Sequence, residues 1–151
     1  MSAGKSDKAP KKSRRKAREF AVQGLYQWKL TGADAGVILG QLHEEKEYPK
    51  IDDEHLAVLL RGVIAQAQEL DALIGPFLDR PAADLSPVEH AILLLAAYEM
   101  RHHPEIPYRV VINEAVELAK TYGGTDGHKF VNGVLDKLAA QVRAVEVKGA
   151  R

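Results

Sequence analysis

The sequence predicts an all-α fold of about seven helices. Three observations predict it. Apolar residues recur near the 3.6-residue helical period along most of the chain, no stretch alternates as a half-buried strand would, and capping residues, glycine and proline punctuate the periodic runs. At 151 residues, 46% of them hydrophobic and 28% charged, the chain suits one domain with a real core. It has no cysteine, which excludes disulfides, thiolate catalysis and cysteine-ligated metal centres. No apolar run approaches the roughly 20 residues of a membrane span, and the N-terminus lacks the apolar segment of a secretory signal.

Residues 1–12 are polar and aperiodic and read as a disordered basic tail. From Ser13 onward Ala17, Ala21, Leu25 and Trp28 mark one helix face, which ends at Thr31-Gly32. Residues 34–47 form a second helix, stopped by Tyr48-Pro49. Asp52 then caps one long helix carrying the stripe Leu56, Leu60, Val63, Ala67, Leu70 and Ile74, interrupted at Gly75-Pro76 and briefly resumed at Phe77-Leu78. Ser86, Pro87 and Glu89 have the N-cap, N1 and N3 chemistry of a capping box before AILLLAAYEM, a helix apolar nearly all round and so the expected centre of the bundle. After Pro104 and Pro107 a helix follows with Val111, Ala115, Leu118 and Ala119 on one face, and a last one with Val131, Leu135, Leu138 and Val142. Between these two, Gly123 and Gly124 are suited to the left-handed geometry that closes a helix, and Asp126 is placed to cap the next. Residues 146–151 read as a flexible C-terminus.

Neutral overall, the chain is electrically split. Residues 1–18 hold eight basic residues against Asp7 alone, a net +7, which leaves −7 on the remainder. A basic arm on an acidic body suggests a polyanion met at one end. Arg14, Arg15, Lys16 and Arg18 fall in the first turns of the first helix, where cations oppose the macrodipole by roughly 0.3–1 kcal/mol each. Arg15 has Glu19 at i,i+4 as a surface partner; the others have no local carboxylate to justify them. The competing reading is a solubility tail. A membrane-surface helix is disfavoured because the apolar face is needed for the core.

The turn at Gly123–Phe130 is the other candidate site. Its glycines clear side chains from a helix start, and Lys129 and Phe130 add a cation and a flat ring, the means of holding a phosphate and a base. It is no Walker loop, because the spacing is short, His128 intervenes, and Phe130 stands where Ser or Thr is needed. Phe130 lies one step off the apolar stripe, which leaves base stacking and core filling equally open. Tyr26 sits at the edge of its own stripe, and Glu89 by itself reads as a capping carboxylate. Six histidines are scattered without ligand spacing, so no metal is expected. No nucleophile–base constellation is legible, and Glu114 and Glu117 read as boundary charges rather than acid–base groups.

The run VINEAVELAKTYGG followed by HKFVNGVLDKL resembles the C-terminal signature of the NusB family of bacterial transcription antitermination factors. RRKAREFAVQGLYQW is similar to that family's first helix and SPVEHAILLLAAYEM to its central one, so the resemblance spans Ser13 to about Val142. It implies two small packed helical bundles, a domain over residues 13–145, and a non-enzymatic factor of the bacterial cytoplasm without cofactor. It further implies binding of boxA RNA together with NusE, a ribosomal protein, within the elongating RNA polymerase complex with other Nus factors, in support of ribosomal RNA transcription. By position, Arg14, Arg15, Lys16 and Arg18 match the family's arginine-rich RNA-contacting motif, Asp126, Lys129 and Phe130 its RNA-contacting turn, and Tyr26 and Glu89 its NusE surface. Lys16 stands where arginine is common, keeping the charge but not a bidentate phosphate contact. Some relatives self-associate, which makes a homodimer an available off-state. Two other classes compete: the RNA-binding domain of a ribosomal RNA cytosine methyltransferase, disfavoured because no methyl-donor domain or catalytic cysteine follows, and a helical adaptor that binds protein alone.

Overall fold

The computed structural model describes residues 13–149; the tail expected over residues 1–12 lies outside them. Among the described residues there are eight α-helices: α1 Arg14–Thr31, α2 Ala35–His43, α3 Asp53–Ala65, α4 Ala67–Ile74, α5 Pro87–His102, α6 Tyr108–Tyr122, α7 Gly127–Val142 and α8 Ala144–Gly149. Helices α1 to α3 pack on one another as a first bundle, and α4 to α7 as a second. Within the second bundle α5 faces the first: it touches α1 and α3 as well as α4, α6 and α7. Every residue from His90 to Met100 is buried, as the all-round apolar sequence of that helix requires. One continuous core, from Ala17 and Leu25 through Leu60 and Leu94 to Leu135 and Leu138, crosses both bundles.

The elements depart from the sequence reading in three places. The second helix stops at His43 rather than 47. The long helix expected over Asp52–Ile74 is two, broken at Gln66, whose backbone (φ −114°, ψ 19°) leaves the helical region. The break lets α3 pack on α1 and α5 while α4 turns to α5 and α7, which a straight rod could not do. Residues 146–149, expected to be flexible, belong to α8. There Glu146 accepts the Tyr108 N–H at 2.9 Å, capping α6, whose N-cap Pro107 has no side-chain acceptor to offer. Arg143, at the end of α7, donates to the carbonyls of Met100 (2.8 Å) and His103 (3.0 Å) and so closes the C-terminus of α5.

Close approach of α3 to α5 depends on Gly62, where a Cβ would lie 2.3 Å from the buried Tyr98 ring. Beside this contact is the core's polar centre. Arg18 of α1 donates through Nε and Nη2 to Glu99 of α5 at 2.8 and 3.0 Å, and His55 Nε2 of α3 lies 3.1 Å from the same carboxylate. All three side chains are buried, and no buried side-chain polar atom lacks a partner among the described residues. Burial alone would raise the Glu99 carboxyl; hydrogen bonds from His55 and Arg18, with their charge, outweigh it and hold it below the usual carboxylate range.

Candidate nucleic-acid interface

The start of α1 is fixed before any of its cations is placed. Ser13 caps the helix by accepting the Lys16 N–H at 3.0 Å. Its backbone is clamped on both sides: its N–H donates to Lys50 O at 2.9 Å and its carbonyl accepts from Asp52 N–H at 3.1 Å. Each cation that lacked a local partner in the sequence then finds a distant carboxylate. Arg14 lies 3.5 Å from Asp52 and Lys16 3.6 Å from Glu47. Arg15 does not use Glu19; it sends Nε and Nη2 to Glu114 of α6 at 3.1 and 2.8 Å while its side chain stays 63% exposed. The hydrogen bond and charge of Glu114 raise the Arg15 pKa.

Arg18 is placed unlike its three neighbours. The resemblance groups it with the RNA-contacting cations, yet its side chain is 7% exposed and its fork is filled by Glu99. It faces inward because it lies one step from Ala17 and two from Phe20, on the buried side of α1. Arg14, Arg15 and Lys16 are the cations left at the surface. Glu114 is likewise more than a boundary charge: it holds Arg15 and lies 3.9 Å from Arg18 Nη1. Nothing in the local sequence could reveal a partner 99 positions away.

The turn between α6 and α7 also differs from expectation. Gly123 is extended (φ −85°, ψ 174°), and the left-handed residue is Asp126 (φ 65°), whose side chain makes no capping bond. Asp126 instead lies 3.3 Å from Lys129, both well exposed. The glycines serve Glu89. Its carboxylate accepts the Gly124 N–H at 3.2 Å, and a Cβ on Gly127 would lie 2.3 Å from the same oxygen. The capping box at α5 is therefore half formed: Ser86 accepts the Glu89 N–H at 3.1 Å, but the Glu89 side chain reaches across to the turn instead of back. An N–H expected to face an anion is occupied by this internal one.

Phe130 is half-buried, packed against the core edge. Tyr26 is 40% exposed, in keeping with its place at the edge of the α1 stripe. Arm and turn are joined along α6. A cavity of about 90 Å³ is lined by Arg15, Glu19, Glu114, Glu117, Thr121 and Tyr122, and Tyr122 abuts Gly123. From Glu114 to Tyr122 the helix advances about 12 Å, so the groove runs from Arg15 to the residue that precedes the turn. Sequence reading also missed Lys29, which donates to His90 Nδ1, while His90 Nε2 lies 2.6 Å from Asp71. The described residues hold no group of three or more metal-ligating side chains.

An all-helical body with surface cations at one helix start and a glycine turn at the far end of the adjoining α6 groove has the form of a helical binding protein. The chain belongs to the NusB family, whose model matches residues 15–140. It is similar to the transcription antitermination protein NusB of Nitrosospira multiformis, 63% identical over 130 residues that cover 86% of this chain and 82% of the relative. The same protein of Ralstonia nicotianae is 57% identical over 150 residues, covering 99% and 97%. Among solved structures, NusB of T. maritima matches with TM-score 0.82 and 32% identity over 91% of this chain and 99% of that one. NusB and NusE in complex with double-stranded RNA match with TM-score 0.73 and 28% identity over 83% and 94%.

Proposed function

We propose that this chain is a transcription antitermination factor that binds boxA-type single-stranded RNA together with NusE and joins the elongating RNA polymerase complex in the bacterial cytoplasm. It works by binding, without catalysis or cofactor. The observation that carries the reading is the groove along α6, which has the exposed Arg15 of α1 in its lining and reaches Tyr122, the residue before the glycine turn that carries Lys129 and Phe130. The Arg15 side chain is 63% exposed, so an RNA phosphate can reach its guanidinium, and Glu114 then still has Arg18 Nη1 at 3.9 Å. Release of counterions from the RNA then adds salt-dependent affinity. The half-exposed Phe130 brings an aromatic group to the turn, where single strands are usually read by planar side chains that stack with unstacked bases. Tyr26 and Glu89 serve the NusE side, and the net charge of −7 outside the arm suits a basic protein.

The test is fluorescence anisotropy of labelled boxA RNA, a scrambled single strand and an RNA duplex, with and without NusE, at two salt concentrations. Preference for single-stranded boxA, sharpened by NusE and weakened by salt, is the expected result. Equal binding to all three RNAs would reduce the surface to a nonspecific cation patch. No RNA binding under any condition would make the chain a protein adaptor.

A further inference from the structure

Arg80 was not singled out by the sequence. It lies on the connection from α4 to α5, between a short 3₁₀ turn at Gly75–Phe77 and another at Ala82–Asp84. Its guanidinium carbon sits 5.0 Å from the centre of the Phe130 ring. Asp79 takes Nε–H and one Nη2–H at 2.7 and 3.0 Å, which fixes the guanidinium plane and leaves the Nη1 side unused by that pair. The side chain remains 46% exposed.

Two separate contacts bring this connection to the glycine turn. Arg80 covers Phe130, and nine residues later Glu89 accepts the Gly124 N–H. Pro81 follows Arg80 directly and restricts its backbone to extended conformations. The Asp79 bonds and the pre-proline backbone together limit the positions the cation can take over the ring. A guanidinium over an aromatic face adds a second planar, cationic group at the ring. Arginine planes accept unstacked bases as aromatic rings do, and their remaining N–H groups reach the adjoining phosphate. Lys129, the residue before Phe130, is an exposed second cation on the same turn, 3.3 Å from Asp126.

We propose that Arg80 is an RNA-contacting residue that extends the Phe130 ring into a cationic stacking platform for one base and its phosphate. This inference rests on the RNA-binding reading of the turn. Its test uses the full chain and a single-stranded boxA RNA, labelled for anisotropy and, in a second copy, substituted with 2-aminopurine as a stacking reporter. Wild type, Arg80→Ala, Arg80→Lys and Phe130→Ala are compared, with melting temperature as the control for folding. Arg80→Ala is expected to bind about tenfold more weakly, with less 2-aminopurine quenching and little change in melting temperature. Arg80→Lys, which keeps the charge without the plane, should recover less than half of that loss. Wild-type affinity in Arg80→Ala, with Phe130→Ala weakened, would overturn the platform and leave the turn's role standing. Full recovery in Arg80→Lys would overturn stacking in favour of charge alone. Absence of RNA binding by the wild type would remove both readings together.

Discussion

Arg18 gives its fork to Glu99 inside the protein, while Arg15, three residues earlier, holds Glu114 at the surface. The same side chain therefore does different work according to which face of α1 carries it. A buried guanidinium without its carboxylate, or the reverse, leaves an uncompensated charge in the core. Arg18→Ala is expected to destabilise the fold by about 3–5 kcal/mol, a fall of roughly 10 °C in melting temperature. A thermal melt within about 2 °C of wild type would remove Arg18 from the core's polar centre. For Arg14→Ala with Arg15→Ala the expectation is the opposite. Helicity and melting temperature stay close to wild type because surface pairs contribute little, whereas RNA affinity falls and its dependence on salt flattens by about two charges. An unchanged salt slope would take the arm out of the interface.

At the scale of elements, the junctions decide the shape. Helix α6 begins against Glu146 of α8, α5 ends against Arg143, and the α6–α7 turn closes around Glu89 of α5. Each is a backbone group at or beside a helix end satisfied by a side chain distant in sequence, so these junctions hold the bundle together as the stripes do. Gly127 shows how closely the turn fits. A methyl there would meet the Glu89 carboxylate at 2.3 Å, the mobile end of a half-exposed side chain. Gly127→Ala should therefore push Glu89 out, break its bond to Gly124 and cost only about 1–2 kcal/mol. It should also raise amide exchange at Gly124 ahead of global unfolding, which hydrogen-exchange NMR would detect. Protection at Gly124 as in the wild type would mean that Glu89 does not hold the turn.

Across the whole molecule, the link between the two bundles is electrostatic as well as apolar. Glu99 sits on α5 where α1 and α3 meet it, and its carboxylate is held below the usual range. The unfolded chain takes up that proton at a higher pH than the folded one. The stabilisation is complete above the ordinary carboxyl value of 4.5 and is lost as pH falls through the lower folded value. Urea unfolding of wild type and Glu99→Gln from about pH 6 to pH 3 should show a large stability gap at the upper end that narrows with acid. A gap independent of pH would mean that Glu99 stabilises by shape rather than by charge.

Most of the helices were legible in the sequence because 3.6-residue periodicity and end signals are local: the Ser86 cap, the Thr31-Gly32 stop and the proline breaks all operate within a few residues. The exposed part of the candidate site was legible for the same reason, since Arg14, Arg15, Lys16, Lys129 and Tyr26 lie off their apolar stripes. The tertiary structure alone decided what depends on distant partners. It split the Asp52–Ile74 helix at Gln66, because α3 and α4 answer to different neighbours. It withdrew Arg18 to Glu99, placed Glu89 among the glycines of the turn and set Arg80 on Phe130. The physical reason is the same throughout: helix formation follows from neighbours in the chain, whereas a charge's partner is chosen by packing.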